Sequence, residues 1–202
     1  MKLYMKPGAC SLASHIILKE VNAVFETEQV DTEKGLTASG VNYHAINANG
    51  YVPALQLGEE EILTEGPSIL QYLADTHPET GLAPVSGSLQ RARMNSYLNY
   101  IGSELHKAFS PLFHSASSAE AKKAAIQNIG QKFDYIANLF ADGRRHLLGD
   151  EFSVADAYLF VVVNWSNFVG IELANWPDLE AYQKRIASRP SAVSAMQAEG
   201  LL

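Results

Sequence analysis

Cys10 is the only cysteine in the chain, and it stands in the stretch PGACSLASHI, residues 7–16. Leu3, Tyr4 and Met5 read as a short strand ended by Pro7 and Gly8, and Leu12, Ile16 and Ile17 then recur at helical spacing. The thiol therefore sits between a strand end and a helix start. Unpaired N–H groups and the helix dipole favour negative charge there, so the spacing predicts a lowered thiol pKa. The plainer reading is a small buried apolar side chain. Gly8 and Ala9 leave room for a ligand, and no apolar periodicity claims Cys10. Ala13 stands where a dithiol motif would carry its second cysteine, so any thiol chemistry at Cys10 must use an external thiol.

A second polar set lies far along the chain. Asn95, Asn99, Ser103, His106 and Ser110 are spaced by threes and fours, so one helix face carries them all. A solvated face normally carries Lys and Glu, and this stripe has neither; it reads as the wall of a groove. Ser117 with Glu120, and Ser153 with Asp156, have capping-box spacing and read as helix starts. The six histidines show no metal-ligand spacing, so no metal is expected, and no nucleophile-elbow or phosphate-loop pattern occurs.

These groups need elements to hold them. Residues 1–80 mix strand and helix signals: a strand, a helix to Asn22, a strand over Phe25–Val30, a poorly defined segment, a hairpin and a helix. The hairpin is Pro53–Leu57, a turn over Gly58–Glu60, and Ile62–Leu63; Pro67 opens the helix through Leu73. Residues 78–88 are rich in Pro, Gly and Ser, and the linker is put at 81–87. From 88 to 202 the signals are helical. Leu89, Met94, Leu98, Ile101, Leu105 and Phe109 form one apolar stripe, and Ile126, Ile129, Phe133, Ile136 and Phe140 another. AYLFVVVNW, residues 157–165, is apolar on all sides and belongs at a domain centre. Short helices follow Trp176-Pro177 and Arg189-Pro190. The fold class expected is an α/β domain followed by an all-helical domain.

Composition narrows the setting. Lys and Arg number 15 against 22 Asp and Glu, a net charge of −7, so nucleic-acid binding is not expected. One cysteine excludes an internal disulfide and favours a reducing compartment. Charged and turn residues interrupt any apolar N-terminal run, and no stretch suits a membrane span; a cytoplasmic protein is expected.

MKLYMKPGACSLASHI, VPAL at 52–55, LTEGPSILQYLAD at 63–75, LNYIGSELHKAFSPLF at 98–113 and FSVADAYLF at 152–160 together resemble the bacterial cysteine-type (beta-class) glutathione transferases. The resemblance covers essentially the whole chain. It implies a thioredoxin-like N-terminal domain, an all-helical C-terminal domain with the electrophile site and dimer contacts, and a homodimer. It implies conjugation of glutathione to hydrophobic electrophiles, with glutathione as co-substrate and no other cofactor, and reduction of glutathione mixed disulfides in some members. Pro53 would be cis, and Val52 would pair its backbone with the cysteinyl part of glutathione. The helix start at Glu65-Gly66 would take the γ-glutamyl carboxylate, and the Glu65 carboxylate the ammonium. Cys10 would lie beside the glutathione sulfur with His106 as its polar partner. Asn99, Ser103 and Glu104 would approach glutathione held by the other subunit, and Lys107 the electrophile. Tyr4 and Ser11 are further hydroxyls that could assist the thiolate.

The sequence departs from its relatives at one end of the ligand. Gly35 stands where relatives often carry Lys, with Lys34 adjacent, and Asn49 and Tyr51 replace Lys and Gln around Gly50. Each lost charge-assisted hydrogen bond would weaken binding by about 1–3 kcal/mol, and the Tyr51 hydroxyl is a candidate replacement. A non-catalytic ligand-binding protein and a transferase-like regulatory protein are the rival readings. Both would have little use for Cys10, Glu65 and His106 together.

Overall fold

The computed structural model describes every residue except Glu60. Among the described residues, contacts divide the chain into two compact units, one of residues 1–83 with 187–202 and the other of 84–186.

The first unit is built on a five-stranded sheet of order β3-β2-β1-β4-β5. Its strands are β1 (Lys2–Met5), β2 (Glu26–Asp31), β3 (Leu36–Thr37), β4 (Ala54–Gln56) and β5 (Ile62–Thr64). β1 is central: it runs parallel to β2, with Leu3 opposite Thr27, and antiparallel to β4, with Leu3 opposite Leu55. That explains why Leu3, Tyr4 and Met5 are all apolar and all buried, where an edge strand would alternate. The hairpin expected from residue 53 onward is β4 paired with β5, Leu55 opposite Leu63. Its expected turn includes Glu60, which lies outside the described residues. The segment left undefined by the sequence holds β3 and a 3₁₀ turn, Tyr43–Ala45.

Helix α1 (Ser11–Glu20) is buried from Ser11 to Leu18. It is covered by α2 (Gly66–Thr76) and, from the far end of the chain, by α9 (Pro190–Ala198). By contact, residues 187–202 group with the first unit, although their helical signals place them in sequence with the helical domain. Polar links hold this segment, among them these. Arg189 Nε donates to Glu20 at 2.8 Å, and His15 Nδ1 meets Glu199 Oε1 at 2.9 Å.

The second unit is helical. α3 (Leu89–Tyr100) starts at Ser88, whose hydroxyl accepts from the Arg91 N–H, and passes through a π-helical turn (Ile101–Leu105) into α4 (His106–Phe113). Of the expected apolar stripe, Met94, Leu98, Ile101, Leu105 and Phe109 are buried, but Leu89 in the first turn is exposed. α5 (Ala119–Phe140) is capped by Ser118, not Ser117: the Ser118 oxygen accepts from the Ala121 N–H, three residues on. Its buried face begins at Ala125 and continues through Ile129, Phe133, Ile136 and Phe140, whereas Ile126 is exposed.

α6 (Val154–Asn164) is the central helix expected, buried from Val154 to Val163. The capping box is present: the Asp156 carboxylate accepts from the Ser153 N–H at 2.9 Å, the Ser153 hydroxyl at 2.7 Å and the Leu147 N–H at 2.8 Å. Burial pushes the Asp156 pKa up against these donors. The chain continues through α7 (Ser166–Val169) and α8 (Pro177–Ala187). Among the described residues, no helix is long and apolar enough to cross a membrane, and no group of side chains is suited to hold a metal ion.

Candidate functional site

Cys10 is the N-cap residue of α1, as its spacing predicts. Its thiol is half-buried and lies 3.2 Å from the Val52 carbonyl, to which it donates. The loop that carries it is fastened at several points. Ser11 closes onto Lys6 in both directions, its hydroxyl 3.2 Å from the Lys6 carbonyl and from the Lys6 N–H. The Gly8 N–H donates to Glu199 Oε2 at 2.9 Å, and the other oxygen of that carboxylate is the one facing His15. The side chains of His15 and Glu199 are 2% and 0% exposed, so this is a buried pair that ties the thiol loop to α1 and to the chain end. Gly8 has φ +71°, which favours glycine.

Val52 and Pro53 precede β4, joined by a cis peptide bond. The Val52 side chain packs on a cluster of Tyr4, Val30, Tyr43 and Ala54. The residue before it is pinned as well: the Tyr51 carbonyl accepts from the Tyr43 hydroxyl at 2.8 Å and from Asn47 Nδ2 at 2.7 Å. Burial pushes the Tyr43 hydroxyl up to about 12, so it stays a donor. The Tyr51 ring is 69% exposed. Segment 52–53 thus presents a fixed strip of backbone next to the thiol.

Glu65 is the N-cap residue of α2 and has φ +67°, ψ +113°. A residue with a side chain is strained there by about 1–3 kcal/mol. The Glu65 carbonyl accepts from the Ser68 and Ile69 N–H groups at 3.0 Å, while its carboxylate makes no capping bond and is exposed. Gly66 opens the helix, its Cα hydrogens close to Pro53. A strained glutamate holds a free carboxylate at a helix start where glycine would fit without strain.

The remaining hydroxyls are committed elsewhere. Tyr4 Oη donates to Gln56 Oε1 at 3.1 Å, and Ser11 is the loop lock described above. Lys34 pairs with Asp31 at 2.9 Å. Gly35 and Gly50 both have positive φ, +66° and +70°, and the His44 ring lies against both; an added Cβ would come within 3.1 Å and 2.6 Å of it. A lysine at position 35 would meet both obstacles, which accounts for the glycine.

In the helical unit, His106 opens α4 directly after the π-helical turn. It is half-buried, with Nδ1 2.7 Å from the Tyr158 hydroxyl and its ring edge-on to Trp165 at 4.7 Å between centroids. Burial first, and then the neighbouring charge of Lys107, lower its pKa to about 4, so the imidazole is neutral at physiological pH. Asn99, Ser103, Glu104 and Lys107 are exposed. The Ser103 hydroxyl donates to the Asn99 carbonyl at 2.8 Å, and Glu104 pairs with Lys132 at 2.6 Å. The polar stripe therefore splits: Asn99 and Ser103 face outward, and His106 turns to Tyr158 of α6 and to Trp165 just after it.

Three residues that matter to this geometry carry no signal in the sequence. Tyr158 belongs to an apolar run, although it brings a hydroxyl inside it. His15 is one residue of an apolar helix. Glu199 follows the last helix with no local pattern at all.

A sheet of order β3-β2-β1-β4-β5 with a cis-proline opposite a helix-capping cysteine defines a thioredoxin-like unit, here followed by an all-helical one. Comparison with known proteins gives the family. Residues 1–75 match the glutathione S-transferase N-terminal domain and residues 100–190 the C-terminal domain. Glutathione S-transferase GstA of Escherichia coli O157:H7 is 41% identical over 201 residues, covering 100% of both chains. Among solved structures, the bacterial beta-class glutathione S-transferase of Sphingomonas chungbukensis is 47% identical with a TM-score of 0.96, and 100% of each chain is covered. A sphingomonad glutathione S-transferase complexed with glutathione is 48% identical with a TM-score of 0.95, again over 100% of both chains. The chain belongs to the glutathione S-transferase family, in its bacterial beta class.

Proposed function

We propose that the chain conjugates glutathione to small hydrophobic electrophiles, with Cys10 and His106 at the reacting sulfur. The observation that carries this is the Cys10 thiol at the start of α1, 3.2 Å from the Val52 carbonyl beside cis-Pro53. Glutathione binding comes from the sphingomonad relative, which was solved with that ligand.

Bound glutathione lies along Val52, its cysteinyl N–H sharing the carbonyl that Cys10 now uses. Its γ-glutamyl group sits at Glu65-Gly66, the α-carboxylate toward the helix start and the ammonium toward the Glu65 carboxylate. The thiol loses its proton to solvent. A sulfur lone pair then forms the C–S bond, and the leaving group departs with the bonding pair. Proximity supplies much of the acceleration and a stabilised thiolate the rest. Lys107 borders the electrophile site. The enzyme is a cytoplasmic homodimer in which Asn99, Ser103 and Glu104 face the glutathione of the other subunit.

A second activity is favoured by the half-buried state of the Cys10 thiol. As thiolate it attacks the glutathione sulfur of a mixed disulfide, forms the Cys10–glutathione disulfide and releases the other thiolate. A second glutathione then resolves that bond and leaves as glutathione disulfide.

The test is the initial rate with glutathione and chlorodinitrobenzene, wild type and Cys10→Ala in parallel. A saturable, glutathione-dependent rate is expected in the wild type, with no glutathione adduct on the variant. No rate above the uncatalysed reaction, on this substrate or on a mixed disulfide, would leave the binding and regulatory readings in its place.

A further inference from the structure

We propose that the Tyr158 hydroxyl donates to Nδ1 of His106 and fixes the imidazole with its proton on Nε2, so that His106 acts as a hydrogen-bond donor to the glutathione sulfur and not as its base. The inference rests on the reading that His106 reaches that sulfur. It adds a positioning residue, Tyr158, and decides what His106 does there.

The geometry is specific. The Oη–Nδ1 separation of 2.7 Å is a short hydrogen bond. Tyr158 is 5% exposed, in the middle of the buried helix α6. The imidazole stands edge-on to the Trp165 ring, at an interplanar angle of 75°, and to the Tyr158 ring, at 79°; these contacts fix the plane of the ring, and the Oη–Nδ1 hydrogen bond selects which of its two edges faces Tyr158.

The direction of the bond follows from acidity. A neutral imidazole has one N–H and one lone pair. A phenol, with a pKa of about 10, is a far stronger acid than a neutral imidazole N–H, so the phenol donates and the ring nitrogen accepts. His106 is neutral at working pH, its pKa held at about 4 by burial and by Lys107. With the lone pair on Nδ1 used by Tyr158, the proton stands on Nε2. That N–H stabilises a negative sulfur more than a neutral one, so it lowers the pKa of the bound thiol. The base role requires a lone pair on Nε2, which this arrangement removes. It would also require a group that takes up protons near neutral pH, which His106 does not.

The experiment is long-range ¹⁵N–¹H correlation spectroscopy on the full protein with ¹⁵N-histidine, His106 assigned by the signals missing in His106→Gln. The expected ligand-free spectrum has Nε2 protonated and Nδ1 as the bare nitrogen. Nδ1 protonated instead would overturn the proposal. Glutathione is then added. If the His106 signals do not move, the placement of His106 at the sulfur fails; if they move but the ligand-free proton is on Nδ1, only the present inference fails. Tyr158→Phe should mix the two tautomers, raise the thiol pKa of bound glutathione read by thiolate absorbance, and lower kcat/KM roughly tenfold with the glutathione KM nearly unchanged. A Tyr158→Phe protein with wild-type tautomer and thiol pKa would refute it. His106→Gln, which keeps an N–H near the Nε2 position, should retain more activity than His106→Asn; the reverse order counts against the donor role. That pair of variants leaves Tyr158 in place and so reads the proposal even where loss of its hydroxyl harms folding.

Discussion

Glu65 holds a backbone conformation that glycine would adopt without strain, φ +67° and ψ +113°, and its carboxylate caps nothing within the chain. Strain retained at an outward-facing charge supports the proposed contact with the glutathione ammonium. Two substitutions separate the strain from the charge. Glu65→Ala keeps the strain and removes the carboxylate: the glutathione KM should rise about tenfold or more, as loss of a charge-assisted pair to the ammonium requires, with little change in stability. Glu65→Gly removes both, so the same loss of affinity should come with a gain of about 1 kcal/mol in unfolding free energy. Saturation kinetics and thermal melts check both, and an unchanged KM in either variant would remove Glu65 from the site. The places of Cys10 and Glu65 at helix starts were legible in the sequence because each sits at a break between elements, where local rules for caps and prolines apply; the cis bond at Val52-Pro53 was legible only through the family resemblance. Tyr158 and Glu199 were not legible. Their partners lie 52 and 184 residues away, and no local pattern records a hydrogen bond of that span.

Elements were legible to the degree that periodicity controls them. The central strand, α1, the hairpin, α2 and the apolar α6 all follow from their patterns. The π-helical turn at Ile101–Leu105 does not, because the apolar residues on either side of it keep a spacing that an unbroken α-helix also satisfies. Its wider turn shifts the register of α4, which is why His106 leaves the outward row of Asn99 and Ser103. The return of α9 onto α1 is equally silent, since an amphipathic helix does not name the surface it covers. That return has a consequence for the thiol loop. Glu199 accepts from Gly8 N–H and pairs with His15, and both side chains of that pair are shut off from solvent. Glu199→Ala strands a buried imidazole and a backbone donor, and should cost about 3 kcal/mol or more, with a matching fall in denaturant midpoint. Freed from its anchor, the loop should also expose Cys10, so its reaction with a neutral disulfide reagent should quicken in the native state. A variant that melts like wild type, with unchanged thiol reactivity, would show that the chain end does not hold the loop.

The whole molecule carries a net charge of −7 and has a sequence pI near 5.3, so its behaviour in mild acid joins two opposed effects. Loss of net negative charge relieves self-repulsion and favours the folded state, but at about 0.1 M salt the separated surface charges are largely screened. The local groups act the other way. His106 titrates at about 4 in the folded protein against an ordinary 6.5, so between those values the unfolded chain binds more protons, and stability must fall as pH drops through that window. Glu28, lowered to about 2 by hydrogen bonds from Ser39 against the opposing effect of burial, adds a second loss below about 4.5. Asp156 has the opposite sign, since burial raises its pKa and its protonation favours the folded state on acidification. The melting temperature is therefore expected to fall in two stages, the first between about pH 6.5 and 4 and the second below about 4.5. His106→Gln has no imidazole to protonate, so its first stage should flatten while the second stays. Parallel curves for the two proteins through the upper window would mean that His106 is not held neutral by its burial against Tyr158 and Trp165. Since a neutral imidazole is what allows Tyr158 to set its tautomer, this melt series and the ¹⁵N spectrum must agree.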